Sequence, residues 1–250
     1  MYSFINGKYI KEPKVSIFDR GFMYGDGVFE SLRTYGGKPF LLSEHLARLL
    51  NACKLLRIKI SLSESGIQRI IQKLMRRNKL KEAYIKIFVT RGEAKGHGLS
   101  IKKTKGNPLL IVTTEKLNKQ AKACKITIYP LPRSNWIGTR IKSLNYLEHI
   151  FARMYAEEKG ADEAIFTDEK GNILEGTTSN IFIVKNDTLI TAPVSAPILA
   201  GVTRDYVIRQ AKADGKKVEE RLFKLKELLE ADSCFITSSG QGVIRCKSIS

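Results

Sequence analysis

Residues 142–153, KSLNYLEHIFAR, and residues 175–182, EGTTSNIF, are the two stretches that decide how this chain is interpreted. Lys142 opens the first stretch and Glu175 opens the second. The chain contains 43 lysines and arginines, and an arbitrary lysine is almost always a solvated surface charge. Lys142 is therefore singled out by the residues around it and not by its type.

The chemistry of these two residues is complementary. A lysine amine can condense with an aldehyde as a Schiff base, and a carboxylate can hold a pyridine nitrogen protonated. The protonated ring then acts as an electron sink. The two stretches that carry Lys142 and Glu175 resemble the two halves of a pyridoxal phosphate site.

Around these motifs the sequence predicts alternating helices and strands. SLNYLEHIFARMYAEEKG, starting at residue 143, has helical periodicity and ends at Gly160. Turn signals such as DEKGN separate the predicted strands EAIFT, NILEG, NIFIVK and TLITA. Further on, VTRDYVIRQAKADG and LFKLKELLEA predict helices, and CFIT predicts a strand.

The first half of the chain has its own strands and helices. In FINGKYI, Asn6 and Gly7 suit a two-residue hairpin turn. LLSEHLARLLNACKLL predicts a helix with Ser43 as N-cap, SESGIQRIIQKLMRRN a second helix, and YIKIFVT and PLLIVTT two strands. We expect an α/β (α+β) fold of two domains, residues 1–116 and residues 117–250, because both halves carry strands and helices.

Composition narrows the class of protein. Of 250 residues, 43% are hydrophobic, enough for real cores, and no stretch approaches the roughly 20 apolar residues of a membrane span. The start, MYSFINGKYI, lacks the pattern of a secretion signal, so we expect a cytoplasmic protein that does not bind a membrane. The four cysteines and three histidines are too scattered for a metal site, and we expect no metal.

The formal charge of +18 invites a nucleic-acid hypothesis. However, the basic residues occur in short pieces such as KKTK at 102–105, acids accompany many of them, and no base-stacking aromatic motif is present. A solvated lysine surface is therefore the better interpretation, and we expect no nucleic-acid partner. The charge can still steer anionic ligands toward the protein.

Seven motifs occur along the chain in this order: DRGFMYGDGVFESLRTY, EHLARL, VTRG, KSLNYL, ADEAIFTDEKGNILEGTTSNIF, ILAGVTRDYVI and FITSS. Together they resemble the fold-type IV pyridoxal phosphate enzymes, the class IV family that includes branched-chain and D-amino acid aminotransferases and aminodeoxychorismate lyase. The resemblance covers nearly the whole chain.

The resemblance implies roles for individual residues. Lys142 would form the Schiff base and carry the proton between substrate and cofactor, and Glu175 would pair with the pyridine nitrogen. Arg48, in EHLARL, would bind the cofactor phosphate, for which a guanidinium fork is suited. The remaining residues implied to bind the cofactor are Thr178, Gly201, Val202, Thr203, Ser238 and Ser239.

Residues 201–203 also suit this role physically, because they precede and open a predicted helix whose positive end favours an anion. For the substrate, the resemblance points to Phe29, which fits the branched-chain and lyase types. It also points to Tyr84 and Lys86, which match a pattern of tyrosine, any residue and arginine in branched-chain relatives, with Lys86 in place of the arginine. That exchange is not conservative for a bidentate contact. Lys95 and His97 lie near the loop that binds the substrate carboxylate in relatives, and they are equally well explained as exposed loop residues.

The resemblance favours an amino acid aminotransferase, branched-chain-like, acting between an amino acid and a 2-oxo acid. The alternatives are 4-amino-4-deoxychorismate lyase, which releases pyruvate with the same lysine and cofactor, and an inactive basic binding protein. The family implies a homodimer. The second domain, which would bind the cofactor, ends sooner after FITSS than in relatives, and we expect a last strand and helix to be missing.

Overall fold

The computed structural model describes residues 1–249, which fall into two compact units. The first contains Met1–Asn118 and Lys142–Asn145, and the second contains Lys119–Ile141 and the described chain from Tyr146 onward. Both units combine strands and helices, so the predicted α/β composition is confirmed. The proposed domain limits at residues 116 and 117 remain a prediction. No helix among residues 1–249 is long and apolar enough to cross a membrane.

The first unit is built on a six-stranded sheet and three helices. Its strands are β1 (Tyr2–Ile5), β2 (Lys8–Lys11), β3 (Gly27–Tyr35), β4 (Lys38–Pro39), β5 (Ala83–Thr90) and β8 (Leu109–Lys116), with a separate hairpin of β6 (Glu93–Ala94) and β7 (Thr104–Lys105). The sheet order is β2-β1-β8-β5-β3-β4. Its helices are α1 (Arg20–Tyr24), α2 (Leu42–Leu55) and α3 (Glu64–Arg77).

Residue alternation along these strands gives the sheet two different faces. On β5, Ile85 and Ile87 are fully buried, whereas Tyr84, Lys86 and Phe88, which alternate with them, are half-buried. Successive side chains of a strand point to opposite faces, so the half-buried residues share one face. α2 packs on β3, and α3 packs on β1 and β8.

Two predicted local features have different outcomes. Asn6 and Gly7 adopt the positive φ angles, 38° and 90°, of the predicted turn between β1 and β2. The prediction that Ser43 caps a helix is wrong, because α2 begins at Leu42 and its N-cap is Leu41 with φ 53°. A two-residue turn, Phe40 and Leu41, connects β4 to α2, and the Phe40 N–H donates to the Arg33 carbonyl over 2.9 Å, so the helix starts immediately after this turn.

The segment Lys142–Asn145 belongs to the first unit and is not helical, so the predicted helix from residue 143 starts too early. The backbone N–H of Phe29 donates to the Lys142 carbonyl over 2.9 Å, and the Leu144 N–H donates to the Gly27 carbonyl over 3.0 Å. This pairing along β3 satisfies backbone groups that a helix would otherwise bond internally.

The second unit is built on an eight-stranded sheet. Its strands are β9 (Ala123–Ile128), β10 (Glu163–Thr167), β11 (Ile173–Gly176), β12 (Asn180–Lys185), β13 (Thr188–Thr191), β14 (Lys217–Glu220), β15 (Ser233–Ser238) and β16 (Gly242–Ile249). The order is β11-β10-β9-β16-β15-β12-β13-β14. β11 also pairs with β12, at Glu175 and Asn180, so six strands close into a ring that the sequence did not predict.

Three helices complete this unit: α4 (Leu147–Glu158), α5 (Val202–Ala213) and α6 (Leu225–Leu229). Neighbouring residues of one strand join different cores. Ile165 packs with Ile126 and Ile181, whereas Phe166 packs with Ala152 of α4. Burial on both sides explains why successive residues in the middle of this strand, 164–166, are all apolar.

The expectation of a missing last strand is wrong for the described residues. Gly242–Ile249 form β16, which lies between β15 and β9, antiparallel to the first and parallel to the second. The predicted helix LFKLKELLEA is also shorter than expected, since only Leu225–Leu229 are helical.

Candidate active site

Lys142 lies at the start of the extended segment beside β3. Its Nζ is 4.6 Å from the centre of the Phe29 ring, and Phe29 in turn stacks on Phe88 with ring centres 5.8 Å apart. An ammonium group over an aromatic face is attracted by the ring quadrupole. Phe29, which was predicted to contact substrate, therefore contacts the predicted nucleophile within the first unit.

Arg48 lies on α2 and forms a buried ion pair with Glu30 of β3. Its Nε and Nη2 donate to the two Glu30 carboxylate oxygens over 2.7 and 2.9 Å. Nδ1 of His45 is 2.7 Å from the same carboxylate, and Glu30 itself is fully buried. The sequence did not single out Glu30 or give His45 a role, because neither motif shows that the two would face Arg48.

These contacts make stability depend on pH. Burial alone would raise the pKa of Glu30, but the charge of Arg48 and hydrogen bonds from His45 and Arg48 outweigh it and lower the pKa to about 2. A carboxylate whose pKa is lower in the folded state than in the unfolded chain stabilises the fold at pH values above its unfolded-state pKa. We expect this stabilisation, on the order of 3 kcal/mol, to be lost as the pH falls from about 4.5 to about 2. Urea unfolding of the wild type and of Glu30→Gln measures it, and parallel pH profiles of the two would contradict it.

Tyr84 and Lys86 lie on the same face of β5, as predicted from their spacing. Nζ of Lys86 is 6.0 Å from the Tyr84 ring centre and 5.9 Å from that of Phe88. Lys95 and His97 are exposed in the loop between β6 and β7. The backbone N–H of Lys95 donates to the Lys103 carbonyl over 2.7 Å, which anchors the start of this loop.

Glu175 is at the end of β11 and is only 4% exposed. Oε2 accepts hydrogen bonds from Asn180 Nδ2 over 3.1 Å and from the Leu199 backbone N–H over 3.0 Å. Nη1 of Arg133 donates to Oε1. Donors at both oxygens fix the plane of the carboxylate. The Arg133 guanidinium beside Oε1 favours the ionised form of Glu175.

The hydroxyl-rich turn after Glu175 is held by Glu163 of β10. The carboxylate of Glu163 accepts bonds from Thr177 N–H over 2.9 Å, from the Thr177 hydroxyl, and from Ser179 over 3.1 Å. Thr178 is exposed, and its hydroxyl donates to Glu163 over 3.3 Å. Glu163 was not predicted as a site residue, and no sequence signal distinguished it from other acidic residues of predicted strands.

The start of α5 brings several of the predicted phosphate ligands together. Gly201 is the N-cap, Val202 is the first helical residue, and no side chain among residues 1–249 caps this helix start. The hydroxyl oxygens of Thr203 and Ser239 are 3.4 Å apart. Ser238 instead accepts a bond from the Gln241 N–H over 3.3 Å, within a turn.

Glycine at position 201 is required by close packing. A Cβ there would collide with Oδ1 of Asn180, whose Nδ2 donates to Glu175 and to the Leu199 carbonyl. Asn180 and the segment from Leu199 to Gly201 therefore tie Glu175 to the start of α5.

The residues around Glu175 and the start of α5, all in the second unit, fit the ring nitrogen and the phosphate of pyridoxal phosphate. An ionised, immobilised carboxylate suits a protonated ring nitrogen, and paired hydroxyls beside a helix start suit a phosphate. The residues that would hold these groups are Glu175, Thr203, Ser239 and the backbone of 201–203.

Comparisons with known proteins agree on one family. The family described as Amino-transferase class IV matches residues 27–249. A "Putative branched-chain-amino-acid aminotransferase" of Methanocaldococcus jannaschii is 39% identical over 98% of this chain and 86% of its own length. D-alanine aminotransferase of Bacillus licheniformis is 34% identical over 98% of this chain and 87% of its own length. Aminodeoxychorismate lyase of Bacillus subtilis is 32% identical over 94% of this chain and 82% of its own length.

Solved structures show the same relationship. The branched-chain amino acid aminotransferase of Escherichia coli matches with a TM-score of 0.90 and 28% identity, over 99% of this chain and 86% of that one. The branched-chain amino acid aminotransferase of the organism abbreviated T.th., complexed with N-(5'-phosphopyridoxyl)-L-glutamate, matches with a TM-score of 0.87 and 28% identity, over 99% and 85%.

The fold is therefore that of the fold-type IV enzymes. Within them, the chain belongs to the class IV aminotransferase family, whose aminotransferases depend on pyridoxal phosphate.

Proposed function

We propose that this protein is a pyridoxal phosphate-dependent aminotransferase that moves an amino group between a branched-chain-like amino acid and a 2-oxo acid. The observation that carries the proposal is the buried carboxylate of Glu175, fixed by Arg133, Asn180 and the Leu199 N–H. A carboxylate held in this way can keep a pyridine nitrogen protonated.

The cofactor, when bound, supplies an aldehyde for a lysine or substrate amine and a ring that accepts electrons. Lys142 is the proposed covalent partner of the cofactor and the base that takes the proton from the substrate α-carbon. Phe29 holds the Lys142 amine at its ring face. Glu175 keeps the ring nitrogen protonated, so that negative charge developing at the α-carbon is stabilised.

The cofactor phosphate is assigned to a second group of residues. Its proposed ligands are Arg48, the backbone of Gly201 and Val202, and the hydroxyls of Thr203, Ser238 and Ser239, and Thr178 is proposed to hydrogen-bond the cofactor elsewhere. Arginine and a helix start both favour a dianion.

The proposed substrate residues are Phe29, Tyr84 and Lys86, together with Lys95 and His97 for the carboxylate. The shared face of Tyr84, Lys86 and Phe88 supports the first group, because it offers both aromatic surface and a cation. The loop of Lys95 and His97 is exposed, so a carboxylate has access to the Lys95 ammonium group and to the His97 ring.

Absorbance spectroscopy tests this function directly. Purified protein with pyridoxal phosphate is expected to show a visible band that is lost on adding an amino acid donor, with release of its 2-oxo acid. Branched-chain amino acids are the expected donors, and a panel of L- and D-amino acids identifies the donor class and its handedness. A protein that binds the cofactor but converts no amino acid would contradict the proposal.

A second candidate function is 4-amino-4-deoxychorismate lyase. It is favoured by the 32% identity to the Bacillus subtilis lyase, since the same lysine and cofactor serve both reactions. Aminodeoxychorismate as substrate separates the two, because only the lyase releases pyruvate from it. The third alternative, an inactive basic binding protein, is disfavoured by the family match.

The proposal includes a cytoplasmic homodimer. An apolar row on α4 supports self-association: Leu147, Ile150, Phe151 and Met154 recur at helical spacing and are each about half exposed or more. Light scattering on the preparation used for spectroscopy is expected to give twice the chain mass of 28.1 kDa. A single-chain mass would contradict the dimer.

A further inference from the structure

Arg133 is the cation that contacts Glu175, and its side chain is 2% exposed. Nη1 donates to Glu175, and Nη2 is 3.1 Å from Nε2 of His149. Nε is 3.5 Å from Glu148 Oε2 and has no hydrogen-bond partner among residues 1–249. The guanidinium therefore makes hydrogen bonds in two directions, to a carboxylate and to an imidazole.

The two contacts of His149 define its tautomer. Nδ1 is 2.6 Å from the Thr177 carbonyl oxygen, which can only accept, so Nδ1 carries a proton. Arg133 can only donate, so Nε2 must accept. This assignment from the hydrogen-bond network makes His149 a neutral ring that donates to the turn and accepts from Arg133.

The surroundings of His149 leave its ring little freedom. Tyr146 stacks on it with ring centres 4.6 Å apart, and Phe166 meets it edge-on at 5.5 Å. Thr177, to which it donates, is fixed in turn by Glu163. A continuous series of hydrogen bonds thus runs from β10 through the turn, His149 and Arg133 to Glu175.

We propose that Arg133 and His149 are positioning residues that hold Glu175 in line with the cofactor ring nitrogen. This inference rests on the proposed function, because it assumes that Glu175 meets that nitrogen. An arginine alone could neutralise Glu175 in many orientations. The imidazole acceptor selects one of them, because the planar guanidinium must satisfy both partners at once.

A cofactor analogue provides a readout specific for this contact. We compare the affinities of pyridoxal phosphate and of the analogue in which carbon replaces the ring nitrogen, measured by fluorescence titration of the apoprotein. A charge-assisted hydrogen bond corresponds to a preference of roughly 10- to 100-fold for the natural cofactor. Changes that only loosen the fold weaken both ligands alike and leave this ratio unchanged.

Two substitutions of His149 form a matched pair. In His149→Gln the amide oxygen can replace Nε2 as acceptor for Arg133, whereas in His149→Asn the amide can replace only the Nδ1 donor to Thr177. We expect His149→Asn to reduce the preference about tenfold and His149→Gln to change it less than threefold. Glu158→Gln, an exposed residue of the same helix, is the control.

Arg133→Lys tests the other residue, because an ammonium lacks the fork that reaches both partners. We expect it also to lose the preference. If both His149→Asn and Arg133→Lys fold and keep the wild-type ratio, the positioning role is overturned while the proposed function stands. If the wild type itself does not distinguish the two ligands, the role of Glu175 fails and the inference fails with it. Should either variant not fold, the other decides the question by the same ratio.

Discussion

Replacing Lys142 with alanine is expected to lower the rate of amino transfer by at least about 100- to 10,000-fold, the range for loss of a general base. The loss should be larger if covalent attachment is also needed. Lys142 is the residue to which the family motif KSLNYL assigns both tasks, and its amine lies over the Phe29 ring. Steady-state assays of amino transfer measure the effect. The visible absorbance of the bound cofactor should shift as well, because the aldehyde loses its partner.

Three controls separate chemistry from structure in this variant. Lys142→Arg keeps the charge and should be about as inactive as the alanine variant, since a guanidinium is not a nucleophile at neutral pH. Lys170→Ala, in an exposed turn, should behave as wild type. Small amines added to Lys142→Ala should restore part of the proton transfer. Near-native activity of Lys142→Ala would remove Lys142 from the mechanism.

Local pattern predicted most of the helices and strands, and it failed where non-local contacts decide the backbone. Helical periodicity extends upstream to residue 143, yet Lys142 and Leu144 bond to β3 and the helix begins only at Leu147. Nothing within the segment indicates that the edge of β3 would be available at Gly27–Phe29. Ser43 has the chemistry of a cap, but the path from β4 places the helix start at Leu42.

The ring of six strands could not be predicted for a related reason. Apolar strands buried on both sides do not show, by periodicity alone, which strands are neighbours. The ring is closed by one pair, Glu175 with Asn180, across the turn of residues 177–179, which was predicted only as part of a motif. The placement of β16 between β15 and β9 depends on its pairing with Ala123–Ile126, more than a hundred residues earlier in the chain.

The motifs and their order along the chain predicted residues of the candidate site, but the buried residues that contact them were not predicted. Nothing in the local sequence marks Glu30, Arg133 or His149 as residues of the site. Their importance arises from what they face: Arg48 for Glu30, and Glu175 for Arg133. Such polar contacts depend on tertiary neighbours, so a single sequence cannot reveal them unless a motif already contains both partners.

The contact between Arg48 and Glu30 leads to the second large effect. Arg48→Ala is expected to destabilise the apoprotein by about 3–5 kcal/mol, because it leaves a fully buried carboxylate without its cation. Glu30→Gln should cost less, since the Arg48 side chain is 16% exposed and remains partly solvated. The double variant Arg48→Ala, Glu30→Gln should recover much of the loss. Urea unfolding of the three variants measures these differences.

The double variant also separates stability from cofactor binding. If Arg48 binds the phosphate, this variant should be folded and yet lose much of the wild-type preference for pyridoxal phosphate over pyridoxal, which lacks the phosphate. Arg69→Ala, at an exposed position of α3, is the control and should leave both stability and preference within experimental error. A double variant that keeps the preference would show that Arg48 serves the fold through Glu30 and not the cofactor. An undiminished stability of Arg48→Ala would instead contradict the buried pair itself, because an uncompensated charge cannot be buried without cost.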